Sequence, residues 1–419
     1  MSRRRGYGPA MVKSPSRSVA VIGGGPAGLM AAEMLLARGH GVDIFDAKPS
    51  LGRKFLMAGK SGLNLTHGED FETLLTRFGE GAGSLEAALR AFGPKEIQAW
   101  AQGLGTELFT GSSGRIFPKA MKASPLLRAW LSRLGGGGVR VHTRHRWTGW
   151  AEDGALVFEA PDGEVRSLPD ATILATGGAS WPRLGSDGAW AEILRGRGVE
   201  SAPFKPANCG FLVDWSQHFR ERFAGHPLKS CTLSIDDITV QGDFVVTDTG
   251  IEGGVVYTLS ARLRDKVAAK GAAMLLVNLA PDRDPDRLLK ALSRPRGKRS
   301  LSNFLRQATG LEGVKAGLLR ERLPAKSFET PRTLAKAIQS LGILVTAPRP
   351  IEGAISTAGG LVFQDLDDGM MIKAMPGVFA AGEMLDWEAP TGGYLLTACL
   401  ATGHAAGNAA GDWLDGQTT

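Results

Sequence analysis

The stretch VAVIGGGPAGLMAAEMLLARGHGVDIFDA, Val19 to Ala47, sets a Gly-x-Gly-x-x-Gly triplet between a β-branched apolar run and a helix-forming run, and closes the next apolar run on an acid. Residues 18–22 read as a buried strand, 27–38 as a helix stopped by Gly39, and 41–45 as a second strand, together a βαβ unit. Gly23 permits the tight turn, Gly25 lets the backbone approach a pyrophosphate, and Gly28 lets helix and strand pack closely. Pro26 and Ala27 open the helix, where free N–H groups and the helix dipole favour phosphate. Asp46, with Ala47 beside it, stands 18 residues past Gly28, where a carboxylate accepts hydrogen bonds from a ribose. Asp43 falls on the opposite face in a two-residue period.

Working outward, 419 residues allow two or three domains, and 57 glycines are about twice the usual share, without a collagen-like period. Three distant cysteines, Cys209, Cys231 and Cys399, draw no disulfide framework or zinc motif, so a reducing cytoplasm is the expected location and no metal is expected. No run reaches the ~18 apolar residues of a membrane span. The net charge of +7 is regional: residues 1–18 carry five basic and no acidic residues, residues 283–336 carry 14 basic against five acidic, and the rest is net acidic. Residues 1–17 read as a disordered basic tail.

The pattern predicts an α/β fold in which a Rossmann-type domain, residues 18–194 and 350–411, is interrupted by an inserted antiparallel β-domain, 195–282 and 337–349. The insert carries a basic helical subdomain at 283–336, and 412–419 form a terminal tail. Within the first part, 84–102 reads as a helical patch in an otherwise irregular stretch from 48 to 120. SPLLRAWLSRL reads as a helix capped by Ser124 with Pro125 at its first position.

A second cluster follows the βαβ unit: LGRKFLMAGKSGLNLTH, residues 51–67, is polar and broken by glycines. With GRIFP at 114–118, ATGGASWPRLGSDG at 175–188, TAGGL at 357–361 and GVFAAGEMLDWEAPTGGYLLTACLATGHAAG at 377–407, it resembles the BaiN-like, YhiN-like flavoproteins, the aminoacetone-oxidase-like family. The chain departs from most of that family in having Gly62-Leu63 where Arg-Cys precedes the Asn, which marks a divergent subgroup. The resemblance implies FAD, a β-barrel-like insert with a helical subdomain, and redox work on an organic small molecule, either amine or ketone oxidation or carbon–carbon double-bond reduction.

The residues agree with FAD. Gly382-Glu383 ends an apolar run where an acid can meet a ribitol hydroxyl, and Thr176-Gly177-Gly178 ends another near the pyrophosphate. Thr391-Gly392-Gly393-Tyr394-Leu395 opens a helix whose amides suit the flavin pyrimidine edge. Gly52, Arg53, Lys54, Lys60, Ser61, Gly62, Asn64 and Thr66 complete the candidate cofactor set. Lys60, Asn64, Arg115 and Tyr394 are the candidate catalytic residues, with Thr66 and Thr357 also near the expected ring. His67 reads as a surface histidine, His404 as a packing residue and Cys399 as helix core. No second dinucleotide unit is present, which leaves transient binding of NAD(P)H over the flavin open. Two other readings stay open: reduction of a pyrimidine in RNA held by the basic insert, and a non-catalytic flavin redox sensor.

Overall fold

The structure, a computed structural model, describes residues 17–60 and 62–417. The tail expected at 1–17 therefore lies, but for Arg17, outside the described residues, as does Ser61.

Five parallel strands form the central sheet: β1 (Ser18–Ile22), β2 (Gly41–Asp46), β3 (Arg140–Thr143), β4 (Ala171–Leu174) and, from the far end of the chain, Val378–Ala380. Their order across the sheet is Val378–Ala380, β4, β1, β2, β3. The middle strands are apolar because both faces are covered, one by helices and the other by a three-stranded antiparallel sheet, Arg146–Trp150, Leu156–Ala160 and Gly163–Ser167, whose Phe158 stacks on Phe45. Helix α1 (Pro26–Ala37) has Pro26 at its first position, where a missing N–H costs nothing. A 23-residue helix, Tyr394–Gly416, lies along it. The glycines of GHAAGNAAG make that approach possible: a Cβ on Gly403 would stand 2.3 Å from the Ala27 carbonyl oxygen, and one on Gly407 2.7 Å from that of Ala31. The helix runs past residue 411 to Gly416, into the segment expected to be a tail.

A second core is drawn from side chains between Cys209 and Ala354. It underlies a seven-stranded antiparallel sheet in the order Leu341–Val345, Ala273–Asn278, Pro227–Ile235, Ile238–Val246, Gly250–Glu252, Phe211–Leu212, Ala347–Pro348. Helices Pro285–Leu292, Leu301–Thr309, Gly313–Arg322 and Pro331–Gln339 add Leu288, Phe304, Leu319 and Ile338 to the same core. The two bodies are joined by a two-stranded antiparallel ribbon, Ser201–Ala207 with Ser356–Leu361. Leu194 and Val199 belong to the first core, so the second begins later than residue 195.

Three local expectations change. The 84–102 patch is two helices, Ala82–Ala91 and Pro94–Gly103, because Pro94 cannot continue the first. The helix expected to be capped by Ser124 starts at Ala123, with Lys122 in the cap position and no side-chain cap. The stretch 48–120 contains a three-stranded sheet, Thr66–His67, Arg115–Pro118 and Leu108–Thr110, whose short strands give too little periodicity to read.

Candidate functional site

A cleft opens beyond the carboxyl ends of β1, β2, β4 and Val378–Ala380, where the strand order reverses between β1 and β4. Open α/β sheets bind ligands there. At its first end the glycine triplet divides by cause. Gly23 has φ +107°, and a Cβ on it would meet the Ala175 carbonyl oxygen at 2.2 Å; a Cβ on Gly28 would meet the Gly23 carbonyl oxygen at 2.0 Å. A Cβ on Gly25, the cap of α1, would meet no protein atom within 4 Å. The protein's own packing demands Gly23 and Gly28, while the Cβ position of Gly25 is open and Gly25 lines the cleft. Asp46 ends β2 at the same end, with Gly24 N–H donating to Oδ2 (2.9 Å) and Lys48 N–H to Oδ1 (2.8 Å). Burial raises its pKa above the usual carboxylate value, against those two hydrogen bonds. Asp43 turns the other way and pairs with Arg140 and His142 on β3.

Midway, Lys54 on the helix Arg53–Ala58 donates to Glu383 Oε2 (2.5 Å) and Ser180 Oγ (3.1 Å), and Thr357 N–H donates to Glu383 Oε1 (3.1 Å). Arg53 donates to Ser50 Oγ, while its Nε is buried without a partner. Leu395, Leu396 and Cys399 from the last helix form the apolar wall beside Glu383. Burial pushes the Cys399 thiol up to about 12, so it is no thiolate nucleophile at neutral pH.

A family model, HI0933-like protein Rossmann domain, matches residues 17–409. The chain belongs to this family. The HI0933-like match covers the motif series that resembles the BaiN-like, YhiN-like flavoproteins. A curated relative, the 3-dehydro-bile acid delta(4,6)-reductase of Clostridium scindens, is 26% identical over 419 residues, covering 94% of this chain and 99% of that protein. Among solved structures, a 3-ketosteroid delta1-dehydrogenase from Sterolibacterium denitrificans shares the fold, with a TM-score of 0.50 at 12% identity, covering 95% of this chain and 100% of that one. A 3-ketosteroid-delta4-(5alpha)-dehydrogenase from Rhodococcus jostii aligns with a TM-score of 0.49 at 16% identity, over 96% and 98% of the two chains. No described helix is long and apolar enough to cross a membrane.

In this HI0933-like chain the cleft is lined by Gly23, Gly25, Pro26, Ala27, Asp46, Ala47, Gly52, Arg53, Lys54, Thr176, Gly177, Gly382, Glu383 and Leu395 of the candidate set. Gly28 and Gly178 lie behind it: a Cβ on Gly178 would stand 2.5 Å from Thr357, whose hydroxyl accepts from Ala179 and Ser180 N–H. A separate group gathers at the amino end of the last helix. Gly392 and Gly393, following Thr391, have φ +139° and +103°; a Cβ on Gly393 would meet Thr66 backbone at 2.7 Å, and one on Gly392 would stand 3.7 Å from Arg115 Nε. Thr66 Oγ1 meets Thr397 Oγ1 at 2.8 Å, and Asn64 Oδ1 is buried without a partner. Gly62, with φ +126°, holds the turn that leads into this group.

None of the four candidate catalytic residues, Lys60, Asn64, Arg115 and Tyr394, lines the cleft. Lys60 is exposed, two residues past the end of the helix Arg53–Ala58 that carries Lys54. Tyr394 is buried against His67 (ring centroids 5.3 Å apart) and Phe78, and its hydroxyl is engaged by Glu69 and Arg77. Burial and the Glu69 carboxylate hold its pKa above the ordinary phenol value. His67 accepts from Glu69 N–H at Nδ1 and meets the Ser113 carbonyl at Nε2, so both nitrogens serve the loop. Sequence reasoning missed Trp147 and Trp190, which line the cleft, Trp190 donating to the Gly177 carbonyl (2.7 Å); Trp190 lies two residues beyond the matched phrase at 175–188, and that proximity was the available signal.

Proposed function

We propose that the protein is an FAD-dependent oxidoreductase that reduces a carbon–carbon double bond conjugated to a ketone in a largely apolar small molecule. FAD, when bound, supplies the hydride chemistry. The chain's residues fit it. The amides at the α1 amino end face a space that Gly25 keeps clear, which suits a pyrophosphate, and this is the observation that carries the reading. Asp46 offers its remaining lone pairs to a ribose, and Glu383 does so to the ribityl chain while Lys54 neutralises its charge. Asn64 Oδ1, buried and unpartnered, is an acceptor awaiting an N–H donor. The amides of Gly392 and Gly393 favour negative charge at the pyrimidine edge. Arg115, beside Gly392, is the candidate for steadying the substrate or the ring. The parallel-sheet body is the cofactor domain and the Cys209–Ala354 body the substrate module.

Double-bond reduction is favoured over amine oxidation by the relative aligned over 99% of its length, whose name is that of a reductase. NAD(P)H is the proposed transient donor and the cytoplasm the proposed location. An RNA substrate is less favoured: Phe304, the aromatic residue amid the Arg and Lys run, is buried with Arg299 over its ring and offers no stacking face. The test is anaerobic photoreduction of the holoprotein followed by addition of a steroid enone or a primary amine. Return of the oxidised flavin spectrum with the enone supports the reading. An inert enone, together with bleaching of the oxidised protein by the amine, would replace it with amine oxidation.

A further inference from the structure

The loop Asp386–Gly393 joins the turn Gly382–Met384 to the last helix, and so carries the amides assigned above to the flavin edge. It is held from the other body. Arg264, on the helix Ser260–Lys270, donates through both terminal nitrogens to Glu388, at 2.7 Å to Oε1 and 2.9 Å to Oε2, and also to the Pro206 carbonyl at 3.2 Å. Its side chain is 7% exposed. The fourth contact, from Nε to Asp265, reaches a carboxylate that is 59% exposed and screened by water. One helical turn before Arg264, Ser260 Oγ accepts from Asn208 N–H. Asn208, buried and in the left-handed region at φ +50°, donates from Nδ2 to the Ala389 carbonyl (2.8 Å) and to Ser356 Oγ (2.7 Å). Two neighbouring loop residues, Glu388 and Ala389, are thus gripped by two buried polar side chains of the other body.

A pair buried on one side, with Arg264 7% and Glu388 30% exposed, adds little stability over apolar packing, but it fixes geometry, and losing one partner leaves the other charge uncompensated. The charge matters here. The loop brings Asp386 and Glu388 just ahead of a helix end whose positive pole is to favour a negative flavin edge. Burial raises the Asp386 carboxyl above the usual carboxylate range, and Glu388 is paired with Arg264.

On the FAD reading above, we propose that Arg264 is a positioning residue that clamps the loop Asp386–Gly393 through Glu388 and cancels that carboxylate's charge beside the flavin edge. Asn208 supports the same loop through Ala389. The insert is thereby wired to the cofactor's redox poise, with Arg264 the charged side chain that makes the link.

The test is the midpoint potential of bound flavin, measured by equilibrium reduction against a reference dye, in Arg264→Gln, Glu388→Gln and the double variant, with flavin per polypeptide recorded for each. Arg264→Gln leaves an uncompensated carboxylate and shifts the potential negative. Glu388→Gln leaves an uncompensated guanidinium and shifts it positive. The double variant returns towards the parent. Mere loosening of the loop would move both single variants the same way, and that result, or an unchanged potential in Glu388→Gln, overturns the proposal. Should Arg264→Gln fail to fold, the sign of the shift in Glu388→Gln decides. A parent protein that takes up no flavin would instead defeat the cofactor reading, which separates the two failures.

Discussion

The cleft at the start of α1 and the separate group at the amino end of the last helix use glycine for different reasons. At the amino end of the last helix, Gly392 and Gly393 are required by the protein itself, through positive φ and the Thr66 backbone at contact distance. At the α1 end, Gly25 sits at an ordinary φ of −84° with empty space around its Cβ position. Gly25 combines an open Cβ position with a place in the lining of the cleft, whereas Gly392 and Gly393 are pinned by their neighbours. The comparison separates residues whose loss damages the protein from residues whose loss damages only binding.

The largest effect is expected at Gly28. Its Cβ would lie 2.0 Å from a backbone carbonyl, with no flexible atom to yield, so Gly28→Ala should give little folded protein by circular dichroism and solubility. A soluble, cooperative Gly28→Ala variant would break the contrast between packing and binding glycines. Gly393→Ala comes next. Its left-handed φ and the Thr66 backbone together should cost roughly 3 kcal/mol in denaturant unfolding, with flavin still bound by the fraction that folds.

Lys54→Met should cost about 2 kcal/mol, because it leaves Glu383, 13% exposed, without its partner; Lys54's own 25% exposure keeps the figure below that of a fully buried pair. Glu383→Gln in that background should recover most of the loss, and failure to recover would mean that the pair is not what sets the middle of the cleft. The smallest effect concerns His404, stacked on Phe92, whose pKa burial lowers. The unfolded chain therefore binds the extra proton first, and stability should decline as pH falls from 6.5 through the lower folded value. His404→Gln should flatten that part of the pH profile, and an unchanged slope would assign the acid sensitivity elsewhere.

The parallel-sheet body was legible where chemistry and periodicity coincide. The glycine triplet, the α1 helix and the acid at the end of β2 were all fixed by short-range pattern, and Asp43 and Asp46 were separated correctly by strand alternation alone. The family was legible from the series of phrases spread along the chain. The loop between residues 51 and 67 was not resolved at the level of single side chains. Lys54 lies on a short helix and Lys60 just beyond its end, and the inward turn of Lys54 depends on a left-handed Gly52 that hydrogen-bonds to Gly24, a tertiary contact with no local signature. Tyr394 was assigned to the ring because it begins a helix, but its neighbours Glu69, Arg77 and His67 come from more than 300 residues earlier in the chain. Arg264 and Glu388 were invisible for the same reason: each is an unremarkable charge until two bodies close around them.

The central claim is that the space kept clear by Gly25 at the start of α1 receives the phosphates of FAD. The most direct measurement is the visible spectrum, per polypeptide, of the parent and Gly25→Val proteins after reconstitution with excess FAD and gel filtration. The account predicts a yellow parent at stoichiometric occupancy and a colourless variant of unchanged circular dichroism. A Gly25→Val protein that retains the parent's flavin, or a parent that stays colourless, would contradict it.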